Sequence, residues 1–251
     1  MKKRNVFLVS VGYLMVLAAI CGGAVGAESA QPRRLTIVPF TRVHAEDTFW
    51  AVRIKTNRER SIPHNLKWCE DTGRISNFAK AAGLMEGKFE GIYFNDSDVY
   101  KVLEGASYAL AQQFDADLAS QVDRIIGLIA AAQRPDGYLN TYYTLTNLND
   151  RWTDLPVKHE LYCAGHLFEA AVAHYRATGK RTFLDVAIKL ADHIDSIFGE
   201  GKRYGVPGHE EIELALVKLY EVTGEKRYFD LAKFFIDERG NTTHRPSYGP
   251  Y

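Results

Sequence analysis

The sequence is poor in the residues that stabilise very small or unusual folds. Three cysteines among 251 residues do not build a disulfide scaffold, and eight prolines and twenty glycines without a period exclude collagen-like and low-complexity chains. No charge sign is in excess: 31 basic residues balance 31 acidic ones, which removes the usual electrostatic reason to expect a nucleic-acid partner. What is present is 46% hydrophobic residues, enough to bury a globular core. The length fits one large domain or two small ones.

The first 27 residues have the pattern of a secretory signal peptide. Three basic residues at positions 2–4 precede a long apolar run, and residues 25–27 (Val-Gly-Ala) form a suitable cleavage site. The run is also long enough for an uncleaved transmembrane anchor, and Cys21 raises a weaker lipoprotein alternative. We expect an exported protein, periplasmic or extracellular, without membrane contact after cleavage. The remaining chain is mildly acidic and keeps Cys69 and Cys163, whose pairing the sequence leaves open.

Helical periodicity dominates the rest of the chain. Residues 35–55 mix β-branched and aromatic residues with a proline and predict a strand followed by a short helix, and a helix is expected over residues 74–82. Further on, apolar residues recur at helical spacing and predict buried stripes. The stripes consist of Leu118, Val122, Ile125, Ile126 and Ile129; Leu184, Ala187, Ile188, Ala191 and Ile194; Ile212, Ala215, Leu216 and Leu219; and Tyr228, Leu231, Ala232, Phe235 and Ile236.

An internal repeat organises these helices into hairpins. Residues 166–194 overlay residues 211–239 at an offset of 45, which pairs Gly179 with Gly224 at the end of one helix in each copy. Residues 98–133 look like a third, more divergent hairpin. Repeated antiparallel helix pairs bury themselves against their neighbours, so we expect a mainly α protein, either a solenoid or a closed α/α toroid.

Four segments interrupt the helical pattern with aromatic, polar and glycine residues: 94–101, 132–143, 158–166 and 206–213. They recur once per hairpin, so we expect them at one end of the array, where aromatic rings beside polar groups suit a carbohydrate. For two segments ordinary capping is an equal alternative, because Asp96 or Ser97 would cap the next helix and Asp136-Gly137 is a common turn. The weaker pocket candidates in these segments are Asp96, Asp98, Asn140 and Glu160.

Two histidines in these segments are the stronger candidates. His159, Cys163 and His166 fall on one helical face at a spacing that zinc accepts, but a site built from a single helix face is rare, so we favour one histidine in a pocket with the other two residues packed between helices. His209 opens a helix rich in glutamate, and the pair Glu160 and Glu210 is a candidate acid/base couple.

The motifs NDSDVYK, DGYLNTYY, HELYCAGHLFEAAVAHY, ADHIDSIFG and PGHEEIELALVKLYEVTGE, in this order, resemble glycoside hydrolase family 127, the β-L-arabinofuranosidase type. The resemblance implies an (α/α)6 barrel, and its N-terminal half is expected over residues 35–240, with a short N-terminal β segment and an irregular tail at 241–251. It also implies retaining hydrolysis of terminal β-L-arabinofuranosyl groups on plant-type oligo- or polysaccharides. His159 and His209 match the family histidines that contact the sugar.

The resemblance further implies a zinc ion, held by cysteines and a glutamate, that activates a cysteine nucleophile, with a second glutamate as acid/base. These residues have no match in this chain, so we expect no zinc to be bound by it and no catalytic residue to be assigned. Cys163 belongs to the HELYCAGH motif and is not that nucleophile. The expectation is a truncated protein that is inactive alone.

Two other functions stay open at the level of sequence. One is a different α/α-barrel hydrolase that acts on unsaturated uronyl sugars with carboxylates alone. The other is a helical-repeat module that binds a glycan or a protein partner without catalysis. The exact glycan, its linkage and the oligomeric state are not predicted.

Overall fold

The computed structural model describes residues 36–244, and this part of the chain is mainly helical. Residues 39–244 belong to one compact unit. Short turns of 3-10 helix lie at Phe40–Arg42 and Leu148–Asp150, and a π-helical stretch at Asn57–Ser61 joins the first two helices. The helices are α1 Trp50–Thr56, α2 Ile62–Asp71, α3 Arg74–Ala81, α4 Asp96–Gln112, α5 Ala116–Ala132, α6 Thr141–Leu145, α7 Leu155–Lys158, α8 Glu160–Thr178, α9 Thr182–Ile197, α10 Ile212–Thr223 and α11 Lys226–Glu238.

The long helices are arranged as four consecutive hairpins in two layers. In the first layer α2 contacts α4, α4 contacts α8, and α8 contacts α10. In the second layer α3 contacts α5, α5 contacts α9, and α9 contacts α11. Each hairpin therefore places one helix in each layer, so that every apolar stripe meets a neighbouring hairpin as well as its own partner helix.

The two helix ends that the sequence repeat pairs have the same geometry. Gly179 follows α8 with φ 74° and Gly224 follows α10 with φ 75°. The N–H of each glycine donates to a tyrosine carbonyl four residues earlier, Tyr175 and Tyr220, at 2.8 Å in both cases. A left-handed residue after a helix favours glycine because a Cβ is strained there, which is why Thr-Gly ends both helices.

The predicted apolar stripes form the core, with one clear exception. The stripe on α5 is buried from Leu118 to Ile129, and those on α9 and α10 are buried apart from the partly exposed Ile188. On α11 the stripe residues Tyr228, Leu231, Ala232 and Phe235 are buried, whereas Ile236 is 58% exposed. The expectation for Ile236 is therefore wrong: it lies at the edge of the last hairpin, where no further helix covers it among residues 36–244.

The predicted N-terminal β segment is not confirmed. Within residues 36–244 the structure contains no strand, and the segment before α1 is extended chain and one 3-10 turn. A strand needs a partner for its backbone groups, and Ile37, 84% exposed, has none beside it in the described part of the chain. The segment packs on α4 instead, where the Phe40 and Tyr108 rings lie 4.9 Å apart and Gln112 Nε2 donates to the Val43 carbonyl at 2.9 Å.

The short helix after this segment and the helix expected near residues 74–82 are present as α1 and α3. The third hairpin expected over residues 98–133 is present as α4 and α5. Residues 241–244 are not helical, while the predicted signal peptide and residues 245–251 of the predicted tail lie outside the described residues. Between residues 36 and 244, none of the helices combines the length and apolarity that crossing a membrane requires.

Candidate functional site

The site forms around His159, which separates two helices. Asp154 caps α7 by accepting a hydrogen bond from the Val157 N–H at 3.3 Å, and α7 ends after one turn. His159 then adopts φ 61° and ψ 25°, and α8 begins at Glu160. A left-handed residue other than glycine costs about 1–2 kcal/mol, so the packing around it must hold it in place. The turn directs the His159 ring away from the core side of α8, towards rings from other segments.

Four rings surround the His159 imidazole. The Phe94 ring is stacked on it, with ring centres 5.3 Å apart, and Tyr93 approaches edge-on at 5.6 Å. Tyr162, one turn further along α8, lies at 5.5 Å, and the His209 ring lies edge-on at 4.8 Å. Three of the four predicted segments therefore meet at His159. The histidines that the resemblance singles out are neighbours.

Two glycines allow the loop carrying His209 to approach this closely. A Cβ on Gly208 would collide with the Pro156 carbonyl of α7, so only glycine fits there. A Cβ on Gly165 of α8 would lie 2.7 Å from the Glu211 Cγ and 3.0 Å from the Ile212 nitrogen at the start of α10. Close backbone contact at both points places His209, whose side chain is exposed, beside the His159 ring.

The His159 imidazole is kept in its neutral form. Burial lowers its pKa most, and the adjacent His209 lowers it further, while the Val157 carbonyl and Asp154 act in the opposite direction. A neutral imidazole has one donor and one acceptor nitrogen, which suits a sugar hydroxyl that also donates and accepts.

Two lysines border the rings. Lys158 Nζ lies 4.7 Å from the centre of the Tyr93 ring and 5.6 Å from that of Tyr142. Lys101 Nζ donates to the Tyr162 hydroxyl at 2.6 Å. Sequence reasoning did not single out these side chains, although all but Tyr93 belong to the interrupting segments. Their signal in the sequence was weak: a single lysine at one end of two segments that also contain tyrosine, which is common on ordinary surfaces.

Glu160 does not face this cluster. Its carboxylate is buried and accepts hydrogen bonds from the Tyr138 hydroxyl and the Trp152 N–H, both at 2.6 Å. Burial raises its pKa to about 7, although both hydrogen bonds oppose the shift. Glu210 is mainly exposed and pairs with Arg239 at 2.8 Å. The candidate Glu160–Glu210 acid/base couple gains no support from these contacts, because each carboxylate has its own separate partners.

Asp96 and Asn140 both accept hydrogen bonds at the start of α6. The buried Asp96 carboxylate accepts hydrogen bonds from the N–H (2.8 Å) and the hydroxyl of Thr141, and burial raises its pKa to about 6. Asn140 caps α6 by accepting from the Tyr143 N–H at 3.0 Å. The expected capping of α4 by Asp96 or Ser97 is therefore wrong: no side chain caps α4, and Asp96 anchors the start of α6 instead. The cap that Asn140 provides for α6 was not predicted from the sequence.

The remaining candidates in these segments also have structural partners. Asp98 forms an ion pair with Arg74 Nε at 2.8 Å. Asp136-Gly137 forms the expected turn, with Gly137 at φ 88° and the Tyr138 N–H bonded to Asp136 at 3.1 Å.

Residues 36–244 do not fit the zinc centre that the resemblance implies. No three His, Cys, Asp or Glu side chains of this part of the chain converge on one point. His166 Nδ1 pairs with Glu211 at 3.0 Å, and the Cys163 thiol points to the Phe94 carbonyl at 3.7 Å. Cys69 and Cys163 are buried free thiols, and burial raises the pKa of both, so neither is a ready thiolate.

The described residues form a two-layer array of helical hairpins in which aromatic rings and two neighbouring histidines meet, and the class of protein follows from the family match. The chain belongs to glycoside hydrolase family 127: the family described as "Beta-L-arabinofuranosidase, GH127 catalytic domain" matches residues 42–248.

Individual relatives agree with this assignment. The chain is 49% identical over 174 residues to the non-reducing end beta-L-arabinofuranosidase of Bifidobacterium longum subsp. longum, a match covering 66% of this chain and 26% of that enzyme. It is similar to the crystal structure of a GH127 beta-L-arabinofuranosidase from Geobacillus stearothermophilus T6, with a TM-score of 0.79, 48% identity, and coverage of 80% of this chain and 33% of that one. A second GH127 beta-arabinofuranosidase structure gives a TM-score of 0.77 at 48% identity. The chain spans between about a quarter and a third of the length of these relatives.

Proposed function

We propose that residues 36–244 form the sugar-binding part of a β-L-arabinofuranosidase-like catalytic domain and hold the glycan without cleaving it. The observation that carries the proposal is the edge-to-face pair of His159 and His209, with ring centres 4.8 Å apart, among the rings of Tyr93, Phe94 and Tyr162. Family membership supplies the sugar class, since both named relatives are beta-L-arabinofuranosidases.

The chemistry of the cluster supports binding. Aromatic faces pack against the C–H faces of a sugar ring, and two imidazoles offer nitrogens that both donate to and accept from hydroxyl groups. His209 is exposed, so a ligand reaches the pair from that side.

The same residues support an absence of turnover. The buried carboxylates of Asp96 and Glu160 are held by Thr141, Tyr138 and Trp152. Both thiols of this part of the chain are buried and protonated at neutral pH. Glycoside hydrolysis in this family type needs an acid/base carboxylate and a nucleophile at the anomeric carbon, and these groups would come from another part of a longer domain. Export through the N-terminal leader belongs to the same proposal.

The test is a thermal-shift and hydrolysis assay of the purified chain with methyl β-L-arabinofuranoside. We expect a sugar-dependent rise in melting temperature without release of arabinose, because a ligand that binds only the folded state stabilises it. His159→Ala and His209→Ala should each abolish the shift, while His64→Ala, on α2, should leave it unchanged.

Release of arabinose by the wild-type chain would overturn the proposal that the chain does not cleave the glycan. A thermal shift that persists in both histidine variants would overturn the site. A helical module that binds a protein partner instead would show no sugar-dependent shift at all, and a hydrolase for uronyl sugars would respond to an unsaturated uronide and not to the arabinoside.

A further inference from the structure

Lys101 and Lys158, the two lysines at the border of the site, carry positive charges that have no role in the proposed arabinoside binding. Lys158 and Lys101 are held by ring faces and by a phenol hydroxyl: Lys158 lies over Tyr93 and Tyr142, and Lys101 bonds the Tyr162 hydroxyl. A ring face attracts an ammonium group without neutralising it. The aromatic contacts therefore position two full positive charges beside the histidine pair.

The carboxylates next to these lysines have other partners. Asp98, almost one turn before Lys101 on α4, forms its ion pair with Arg74. Glu211, beside the site on the loop from α9, pairs with His166. Within residues 36–244 neither lysine lies within ion-pair distance of a carboxylate, whereas most basic residues on the long helices do.

The other acidic side chains around His159 also form hydrogen bonds with groups other than the two lysines. Asp154 caps α7 through the Val157 N–H, and Glu160 is turned into the core on Tyr138. The neutral His159 imidazole adds no negative charge. Lys101 and Lys158 therefore place two positive charges at the border of the site, and within residues 36–244 no ion pair neutralises either of them.

We propose that Lys101 and Lys158 bind a carboxylate carried by the glycan, so that the preferred ligand is an arabinofuranoside attached to, or next to, a uronate residue. The inference rests on the proposed function, since it adds an acidic group to the sugar held by His159 and His209. The lysines lie against different rings, Tyr162 and Tyr93, each of which contacts His159. A carboxylate beside the bound sugar is thus reachable from two directions, which suits an aglycone that varies in linkage.

The test compares two ligands that differ only in this charge: a β-L-arabinofuranosyl glycoside of galacturonic acid and its methyl ester. Affinities for the full chain are measured by calorimetry at about 20 mM and at about 500 mM salt. We expect the acid to bind about five- to tenfold more tightly than the ester at low salt, as two partly exposed ion pairs allow, and the difference to shrink at high salt.

The variants separate charge from structure. Lys101→Met and Lys158→Met should each reduce the ratio of the acid affinity to the ester affinity by about twofold or more. Lys189→Met, an exposed lysine on the second-layer helix α9, serves as the matched control and should change neither affinity.

The binding measurements distinguish failure of the carboxylate inference from failure of the proposed function. Equal binding of acid and ester by the wild-type chain overturns the carboxylate inference and leaves the proposed arabinoside function intact. Equal weakening of both ligands by Lys101→Met means that this lysine only positions Tyr162, which also overturns its assignment. Binding of neither ligand overturns the proposed function, and the inference with it.

Discussion

At the scale of single residues, the adjacent residues His159 and Glu160 point in different directions and have pKa values shifted in opposite directions. The left-handed backbone at His159 turns its ring towards the rings of the site, where the pKa is lowered. Glu160 begins α8 and points into the core, where the pKa is raised to about 7. Burial disfavours the charged form in both cases, which for a base and an acid means shifts in opposite directions.

The buried Glu160 carboxyl predicts a measurable pH dependence of stability. Its pKa is about 7 in the folded chain against the ordinary glutamate value of about 4.5, so the folded state keeps a proton that the unfolded chain releases in this window. The stabilising contribution is fully present below about pH 4.5 and is lost as the pH rises to about 7. Glu160→Gln removes this dependence. The unfolding free energy of the variant minus that of wild type should therefore rise by about 3 kcal/mol between pH 4.5 and pH 8.

Guanidinium unfolding at several pH values checks this expectation, with Glu160→Ala as the companion variant. Alanine leaves the Tyr138 hydroxyl and the Trp152 N–H without an acceptor and should cost about 2–3 kcal/mol near pH 5, where the carboxyl is still largely protonated. A difference between wild type and Glu160→Gln that is constant from pH 4.5 to 8 would contradict the raised pKa.

At the scale of elements, the site depends on how closely helix starts approach each other. Gly208 sits against the Pro156 carbonyl and Gly165 against the start of α10. Neither glycine is needed for a positive φ, since neither is among the left-handed residues of the described chain. Their role is to let two backbones touch.

Gly208→Ala should therefore damage binding more than stability. The added methyl displaces the loop carrying His209 from α7, and we expect at least a tenfold loss of affinity for methyl β-L-arabinofuranoside, measured by calorimetry. Gly127→Ala is the matched control: it lies on α5 with open space around its Cβ, and we expect unchanged affinity and about 0.5–1 kcal/mol greater stability. Wild-type affinity in Gly208→Ala would show that the contact with Pro156 does not place His209.

The turn of the divergent hairpin carries a separate prediction. Asp115 caps α5 by accepting a hydrogen bond from the Leu118 N–H at 3.0 Å. Asp115→Ala should lower the unfolding free energy by about 1 kcal/mol, while Asp115→Asn, which keeps an acceptor oxygen, should stay within a few tenths of wild type. Chemical denaturation of the three proteins in parallel measures both effects, and equal stability of the alanine and asparagine variants would argue against the cap.

At the scale of the whole molecule, the two layers connect distant hairpins. The first-layer helices α4, α8 and α10 contact each other in sequence, and the second layer links α5, α9 and α11. Each hairpin buries part of its apolar surface only against its neighbours, so one hairpin should not unfold while the next stays intact.

Coincident unfolding transitions are the expected result. Trp152 is buried near the second-layer helix α9, whereas Trp50 and Trp68 are exposed, so a variant carrying Trp50→Phe and Trp68→Phe reports on the core through one fluorophore. Its fluorescence and the far-ultraviolet circular dichroism should give the same midpoint. Leu219→Ala, a fully buried change on α10, should lower both midpoints together through a loss of about 2–5 kcal/mol. Two separated transitions, or a shift in only one signal, would show that the hairpins unfold independently.

The sequence by itself determined the helices, their hairpin pairing, the position of the Thr-Gly ends and, through long motifs, the family. These are local properties: periodicity, capping and turn chemistry act within a few residues and are visible in the order of the amino acids. The same local reasoning predicted a strand before α1, and this prediction is not confirmed, because a strand depends on a partner strand that local sequence does not specify.

Only the tertiary structure decided which polar side chains have structural partners. Asp96, Asp98, Asn140 and Glu160 were reasonable sugar ligands by residue type. Asp96, Asp98 and Glu160 each bond a structural partner from elsewhere in the chain, and Asn140 caps α6 within its own segment. His159 and His209 became neighbours through two glycine contacts, and Lys101 and Lys158 stayed without an acidic partner among residues 36–244. Whether a polar side chain is satisfied depends on contacts between residues tens of positions apart, and no local pattern in a single sequence encodes those distances.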